Sequence, residues 1–239
     1  MVGRGKFIEE SGAVVEGHFV YKARWSHGNL YVNKEMFPYM GARKLMQLIQ
    51  EVGANALSSG LYFGEVRKVG IIGPAYGAIP FSLPLAIYFE MRRPEILFFP
   101  ARTQLEKDDK GRDFHVIPDK LLKEYQGGSF IIHEDIVNNG TTIREAGKLF
   151  REAANARIIA ATCFADRNEQ TAESLNVDQY YPYFAKKMEQ HDIRKAPCPQ
   201  CQAGVPITTD IGKGKGWVAM FGHPPYPKDM DFSPFWREN

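Results

Sequence analysis

The segment Phe130–Thr142 constrains this 239-residue chain more than any other stretch. It opens as an apolar strand, Ser129–His133, that ends on two adjacent carboxylates, Glu134 and Asp135. Ile136 and Val137 follow, then the turn Asn138-Asn139-Gly140, then a helical pattern over Thr141–Ala154 with Thr141 or Thr142 placed to cap it. Successive backbone N–H groups in such a loop form an anion nest, and the helix N-terminus adds a favourable dipole. Gly140 allows the backbone close approach to a ligand, and the threonine hydroxyls can donate to phosphate oxygens. Adjacent carboxylates suit the two hydroxyls of a ribose, directly or through Mg²⁺. Phosphate and ribose recognition side by side describe a sugar phosphate. Taken alone, an acidic pair before a turn also fits a capped strand-to-helix junction with surface acids.

The surrounding pattern supplies a scaffold. Phe19–Tyr21 and Leu30–Val32 read as short extended segments, and Phe37–Val52 as a helix with Leu45, Leu48, Ile49 and Val52 on one face. Val69–Ile72, Glu95–Phe99 and Arg157–Phe164 read as buried strands, the first followed by Gly-Pro-Ala-Tyr-Gly and a helix of small and apolar residues. Strands alternating with helices imply an α/β fold with a doubly wound, mainly parallel sheet. Ligands of such sheets sit at the carboxyl ends of strands. Gly73–Gly77, Glu134–Thr142 and Asp166-Arg167 all fall there. Thr103–Asp113 is charged, contains glycine and lacks apolar periodicity, so it reads as a mobile loop.

Composition excludes several classes. Net charge is +2, so no global basic field points to nucleic acid. Val69–Phe89 is uncharged, but Gly70, Gly73, Pro74, Gly77, Pro80 and Pro84 punctuate it as strand, loop and helix rather than a membrane span. The amino terminus lacks the apolar core of a secretory signal, and three cysteines give no disulfide framework, so the cytoplasm is the expected compartment.

The strand, acid pair and Thr/Gly loop of residues 130–142 resemble the 5-phosphoribosyl-1-pyrophosphate (PRPP) signature of type I phosphoribosyltransferases. Other segments resemble the orotate enzymes of that family, in the right order over about residues 15 to 209. Gly17–Lys22 and Tyr31–Lys34 resemble their amino-terminal segment, which assigns Lys22, Val32 and Asn33 to the base. Gly73–Pro80 resembles their pyrophosphate loop, with Tyr76 and Gly77 on PRPP. Ala165–Glu169 resembles the strand end whose arginine, here Arg167, holds the orotate carboxylate. Cys198–Pro206 is similar to a carboxyl-terminal stretch of one subgroup. Asn138 stands where a threonine touching the base is usual. The family's lid carries Arg-Lys, then a further lysine and a histidine; Arg102 fits, Thr103 replaces the lysine, and Lys107, Lys110 and Arg112 are approximate stand-ins.

The resemblance implies a type I phosphoribosyltransferase fold, with a small hood built from the N-terminal segment, with or without C-terminal residues. It also implies transfer of the phosphoribosyl group to a base, with Mg²⁺ bridging pyrophosphate and ribose near Glu134 and Asp135. Asn138, Asn139, Gly140, Thr141 and Thr142 would hold the 5′-phosphate. Asn138 and Arg167 would face the base, and Arg102, Lys107, Lys110 and Arg112 would close over pyrophosphate. A homodimer is expected, because the family shares its lid across a dimer interface. A different base, or a non-catalytic sensor of the same fold, remains open. The expected division is 1–50 hood segment and first helix, 51–179 PRPP-binding core, and 180–239 extension. Cys198 and Cys201 have CxxC spacing, with His191 upstream and Cys163 far away. Without a second CxxC or a closely spaced histidine pair, the motif reads as a turn packed on the core rather than a zinc site. Gly212–Gly216 reads as a flexible basic stretch, and the aromatic tail from Gly216 to Asn239 as docked on the body or on a partner subunit.

Overall fold

The computed structural model describes residues 8, 11–21, 26–33, 36–74, 78–107, 109, 111, 113–193, 195–196, 198–227 and 229–238. In chain order the principal elements are β1 (Val14–Val20), β2 (Ser26–Val32), α1 (Ala42–Ser58), β3 (Lys68–Gly73), α2 (Ile79–Arg92), β4 (Leu97–Arg102), β5 (Gln104–Lys107), β6 (Asp113–Val116) and α3 (Asp119–Tyr125). There follow β7 (Ser129–Val137), α4 (Thr141–Ala154), β8 (Arg157–Asp166), α5 (Ala172–Leu175), β9 (Tyr180–Ala185), β10 (His191–Asp192), α6 (Pro199–Gln202), α7 (Gly214–Phe221) and α8 (Ser233–Glu238). The chain divides into two compact units, one containing Pro38–Lys187 and the other formed by Ile8–Phe37 with Met188–Asn239.

The larger unit is built on a five-stranded sheet of order β4-β3-β7-β8-β9, parallel throughout. Its strands are continuous apolar runs because both faces are covered. After β3 the chain adds β4 on one side, then returns to add β7, β8 and β9 on the other. The order therefore reverses between β3 and β7, and the carboxyl ends of those two strands flank the crevice where open α/β sheets bind ligands.

Helix α4 presents Ile143, Ala146, Gly147, Phe150 and Ala154 inward, a helical repeat that lays one face on the sheet. Beneath it Phe130 meets Phe150 at 4.9 Å and Tyr125 at 5.5 Å between ring centroids. Helices α1 and α2 pack closely because Gly53 has no side chain: a Cβ there would lie 2.3 Å from Tyr88 Cδ1. No helix among the described residues is long and apolar enough to cross a membrane.

The smaller unit holds an antiparallel hairpin, β1 against β2, with β10 added to the β2 edge. Trp217 of α7 is fully buried, its ring 4.6 Å from His27, 4.8 Å from Phe221 and 5.1 Å from both Phe232 and Phe235. The Trp217 indole N–H donates to the Tyr226 hydroxyl at 2.7 Å. The aromatic tail thus closes a core of its own with Val20 and Ile207.

Several local expectations change. The helix expected from Phe37 is split: Met36–Tyr39 forms a short helix, and the long one begins at Ala42 because Gly41 holds a positive φ of 87° that breaks the helical path. β7 does not stop before the acid pair but continues through it to Val137, paired to β8. The stretch 103–113 is not a plain loop: β5 and β6 pair as an antiparallel hairpin with Glu106 opposite Phe114. Gly212–Gly216 is not a free basic stretch, since Gly214 begins α7 and packs so closely on the Thr208 carbonyl that a Cβ would sit 1.9 Å from its oxygen. β9 has no counterpart in the sequence reading.

Replacing Phe150 by Ala removes the ring between α4 and the sheet and should cost about 3–5 kcal/mol of stability. Urea unfolding followed by circular dichroism measures it, and a loss below about 1 kcal/mol would mean that the sheet face is not closed by this ring.

Candidate active site at the sheet switch point

The β7–α4 junction is shaped by one glycine. Gly140 is the N-cap of α4 with φ 70°, in the left-handed region where side chains are strained. A Cβ at Gly140 would also meet Leu175 Cδ2 at 2.1 Å. Neither Thr141 nor Thr142 is the cap, contrary to the sequence reading, and the glycine cap makes no side-chain hydrogen bond to the start of α4. Its first turn carries no acidic residue. The amino-terminal N–H groups and the positive end of the helix dipole are thus left for an anion.

Around this junction lies a cleft of about 220 Å³ lined by Glu134, Ile136, Val137, Asn138, Asn139, Gly140, Thr141, Thr142 and Ile143. All five loop residues expected to hold phosphate line it, and so does Glu134. Asp135 does not line the cleft. Both carboxylates are buried, at 7% and 5% exposure. Glu134 Oε1 accepts the Asp135 N–H at 3.2 Å, and Asp135 Oδ1 accepts the Ile136 N–H at 2.7 Å. Hard carboxylate oxygens at the cleft edge fit Mg²⁺, which commonly keeps waters and substrate phosphates as its other ligands, so no protein cage is required. His133, beside them, is buried against the Phe81 and Phe164 rings. Its Nδ1 lies 3.0 Å from Thr162 Oγ1, and burial, opposed by the Asp135 charge, lowers its pKa to about 4, leaving it neutral at pH 7.

The loop is braced by residues that pattern reasoning did not single out. Arg144 donates to the Asn139 carbonyl at 2.7 Å, to the Ser174 carbonyl at 3.2 Å and to Thr141 Oγ1 at 3.4 Å. The Asn168 amide donates to Asn138 at both its carbonyl (3.2 Å) and Oδ1 (3.0 Å), and to Asn139 Oδ1 at 3.1 Å. Gln170 adds a bond to the Asn138 carbonyl at 3.2 Å. These donors are ordered by Asp166, fully buried at the end of β8. Asp166 accepts from the Asn168 N–H at 2.9 Å, the Gln170 N–H at 2.7 Å and the Tyr180 hydroxyl at 3.0 Å. Burial, followed by the neighbouring Cys163, raises the Tyr180 pKa, so the phenol stays protonated and donates. One sequence signal could have found Arg144: on a helix it stands one turn from Gly140 and Thr141.

Arg167 follows Asp166 on the same strand end. Its backbone N–H donates to the Val137 carbonyl at 2.9 Å, tying the β8 end to the β7 end, and its side chain is half-buried. Arg102 ends β4 and Lys107 ends β5; both are exposed, and neither lines the cleft. Thr103, where the resemblance expects a lysine, is buried instead, donating to the Pro74 carbonyl at 2.5 Å and lying 2.8 Å from His115 Nδ1. That hydroxyl fastens the start of the hairpin to the end of β3, a task a lysine could not perform there. In the smaller unit Val32 is buried at the end of β2 and Asn33 follows it half-buried. Lys22, Tyr76, Gly77, Lys110 and Arg112 lie outside the described residues.

Gly140→Ala combines left-handed strain with the Leu175 clash and should destabilise the fold by on the order of 3 kcal/mol. Asp166→Ala strands three donors and should cost a similar amount, about 3 kcal/mol. Chemical denaturation checks both, and a neutral result for either would show that the loop is held by other means.

A family model described as a phosphoribosyl transferase domain matches residues 44–195. The chain is 22% identical over 213 residues to an orotate phosphoribosyltransferase of Caldicellulosiruptor saccharolyticus, covering 84% of this chain and 92% of that protein. It is 25% identical over 213 residues to the orotate phosphoribosyltransferase of Thermotoga petrophila, covering 87% and 97%. Among solved structures, adenine phosphoribosyltransferase from Saccharomyces cerevisiae superposes with a TM-score of 0.52 at 18% identity, over 74% of this chain and 98% of that one. The fold is therefore that of the type I enzymes, and with the matched segment carrying both the switch point and the uncapped loop, the chain belongs to the phosphoribosyl transferase family.

Proposed function

We propose that this protein transfers the 5-phosphoribosyl group of PRPP to orotate, giving orotidine 5′-monophosphate and pyrophosphate. The single observation that carries the PRPP half is the uncapped, acid-free start of α4 behind left-handed Gly140, beside the Glu134 carboxylate at the switch point. Asn138–Thr142 would take the 5′-phosphate on backbone N–H groups and hydroxyls, with Arg144 holding the loop in shape. Glu134, and Asp135 behind it, would receive the ribose hydroxyls. Bound Mg²⁺ would supply charge neutralisation for the departing pyrophosphate. A base nitrogen displaces pyrophosphate at the anomeric carbon through a transition state of oxocarbenium character, the charge type met in glycoside chemistry. The protein then needs no nucleophile of its own; alignment and leaving-group stabilisation suffice. Arg102 and Lys107, with Tyr76, Gly77, Lys110 and Arg112, are the groups we assign to pyrophosphate and its lid.

Orotate is favoured by Arg167, a cation on the strand end next to the phosphate loop, suited to an acidic base, and by the two curated relatives that share most of their length with this chain. Lys22, Val32 and Asn33 complete the proposed base contacts. We place the protein in the cytoplasm as a homodimer, as its resemblance suggests. A second reading keeps PRPP and changes the base. It is favoured by Asn138, whose Oδ1 is engaged by Asn168, so that the position offers a different hydrogen-bond pattern from threonine.

PRPP- and Mg²⁺-dependent loss of orotate, followed by its ultraviolet absorbance, tests the proposal. Arg167→Ala should lower kcat/KM for orotate by about 100-fold, the worth of a charged hydrogen-bonded contact, while PRPP binding persists. PRPP binding without orotate turnover would remove orotate and send the test to other bases.

A further inference from the structure

Four chemically reactive side chains in the smaller unit play no part in phosphoribosyl transfer. His18 and His27 come from the β1–β2 hairpin; Cys198 and Cys201 come from the turn that opens α6. All four are buried, at 0%, 0%, 1% and 7% exposure. One ligand atom from each lies within 4.8 Å of all the others.

The six distances among those atoms describe a tetrahedron. His18 Nε2 is 3.2 Å from His27 Nδ1. The four sulfur–nitrogen edges are 3.3 and 3.9 Å from Cys198 to His18 and His27, and 3.5 and 3.3 Å from Cys201. Zinc–sulfur bonds of about 2.3 Å and zinc–nitrogen bonds of about 2.0–2.1 Å at tetrahedral angles give nitrogen–nitrogen edges of about 3.3 Å and sulfur–nitrogen edges of about 3.6 Å. The sulfur–sulfur edge, 3.0 Å, is shorter than the corresponding value of about 3.8 Å, and a small thiol rotation lengthens it. It is also far longer than a disulfide bond, about 2.05 Å, and both cysteines are free thiols.

The surroundings are those of a metal site as well. His18 Nδ1 lies 2.7 Å from the Val205 carbonyl, which fixes the proton there and turns the Nε2 lone pair inward. Cys198 caps α6 with Pro199 behind it, and the Cys201 N–H donates to Cys198 Sγ at 3.2 Å, a charge-assisted bond once the sulfur is a thiolate. The His27 ring stands edge-on to Trp217, at 78° and 4.6 Å. A cavity of about 680 Å³ reaches His27 and Cys201 from outside and offers an entry path.

We propose that His18 Nε2, His27 Nδ1, Cys198 Sγ and Cys201 Sγ bind one zinc ion in a closed tetrahedral site that clamps the β1–β2 hairpin to the C-terminal segment. Two thiolates and two imidazoles in this geometry select zinc over hard cations. With four protein ligands no position is left for substrate, so the role is structural. The clamp joins residues 180 positions apart in sequence and reinforces other ties between the same segments. Among them are His18 N–H to Thr208 Oγ1 (3.2 Å), Thr208 N–H to the His18 carbonyl (2.8 Å) and the Gln200 amide to the Gly17 carbonyl (3.0 Å). The motif therefore differs from its sequence reading: the turn is real, but the missing ligands are two histidines that no local spacing could pair with it.

The full chain, purified under reducing conditions without chelator, should contain one zinc per chain by elemental mass spectrometry and keep it through gel filtration. Exchange with Co²⁺ should produce the intense ligand-field bands of a tetrahedral ion and thiolate-to-cobalt charge transfer. Cys163→Ser should retain full zinc, whereas Cys201→Ser and His27→Ala should lose at least 90% of it. If either variant fails to fold, the wild-type cobalt spectrum decides alone. Stripping zinc with a mercurial and chelator, then restoring the thiols, should speed limited proteolysis within 188–239 at least tenfold, and zinc should reverse it. Folded, reduced protein that carries no metal and binds no stoichiometric Zn²⁺ or Co²⁺ would overturn the site. So would a native Cys198–Cys201 disulfide revealed by differential alkylation, or full zinc retention in both ligand variants.

Discussion

At Gly140 a buried parallel strand turns directly into a helix whose cap residue has no side chain to bond its first N–H groups. That one backbone conformation sets the demands on everything nearby. A left-handed residue pressed on Leu175 must be glycine, and α4 must then lie flat on the sheet to hold its amino terminus at the β7 edge. Burying Ile143, Phe150 and Ala154 supplies that support. An uncapped helix start in the interior would be a defect; at the switch point of a doubly wound sheet it suits the anion proposed there.

Keeping such a loop in one shape requires polar groups that are themselves fully satisfied. Asp166 organises them: a buried carboxylate that gathers two backbone N–H groups and a phenol, so that Asn168 and Gln170 can hold Asn138 from behind. Arg144 does the same from the helix side. Mutual satisfaction is what makes a buried polar network stabilising rather than costly. It also separates two tasks within a few residues, since Asp166 braces the loop while the proposed role of its neighbour Arg167 is to meet the base.

The smaller unit solves a different problem. It has a three-stranded sheet and a modest aromatic core around Trp217, which is little apolar surface for two chain segments so distant in sequence. Small folds with limited cores commonly add a metal or a disulfide. The zinc proposed at His18, His27, Cys198 and Cys201 would meet that need without involving the transfer chemistry, and it would use residues of the same hairpin that carries Val32 and leads into Asn33.

Much of the larger unit was legible in the linear chain because its information is local. Strand, acid pair, Asn-Asn-Gly turn and amphipathic helix occupy consecutive residues, so the strand–turn–helix junction and the parallel α/β class follow from pattern and chemistry alone. What depended on distant partners did not follow. Thr141 and Thr142 look like caps until the glycine conformation is seen. Thr103 looks like a lost lysine until it is found bonded to Pro74 and His115. Residues 103–113 look like a loop because a short two-stranded hairpin with charged residues at its turn has no apolar period to betray it. The sequence by itself determined the family and the strand–turn–helix on which the proposed PRPP ligands lie, since both are written in neighbouring residues. Only the tertiary structure decided which strand ends face the switch point, what braces the loop and which histidines join the CxxC turn. Those depend on the order in which strands pair and on contacts between residues up to 190 positions apart, and no local spacing encodes either.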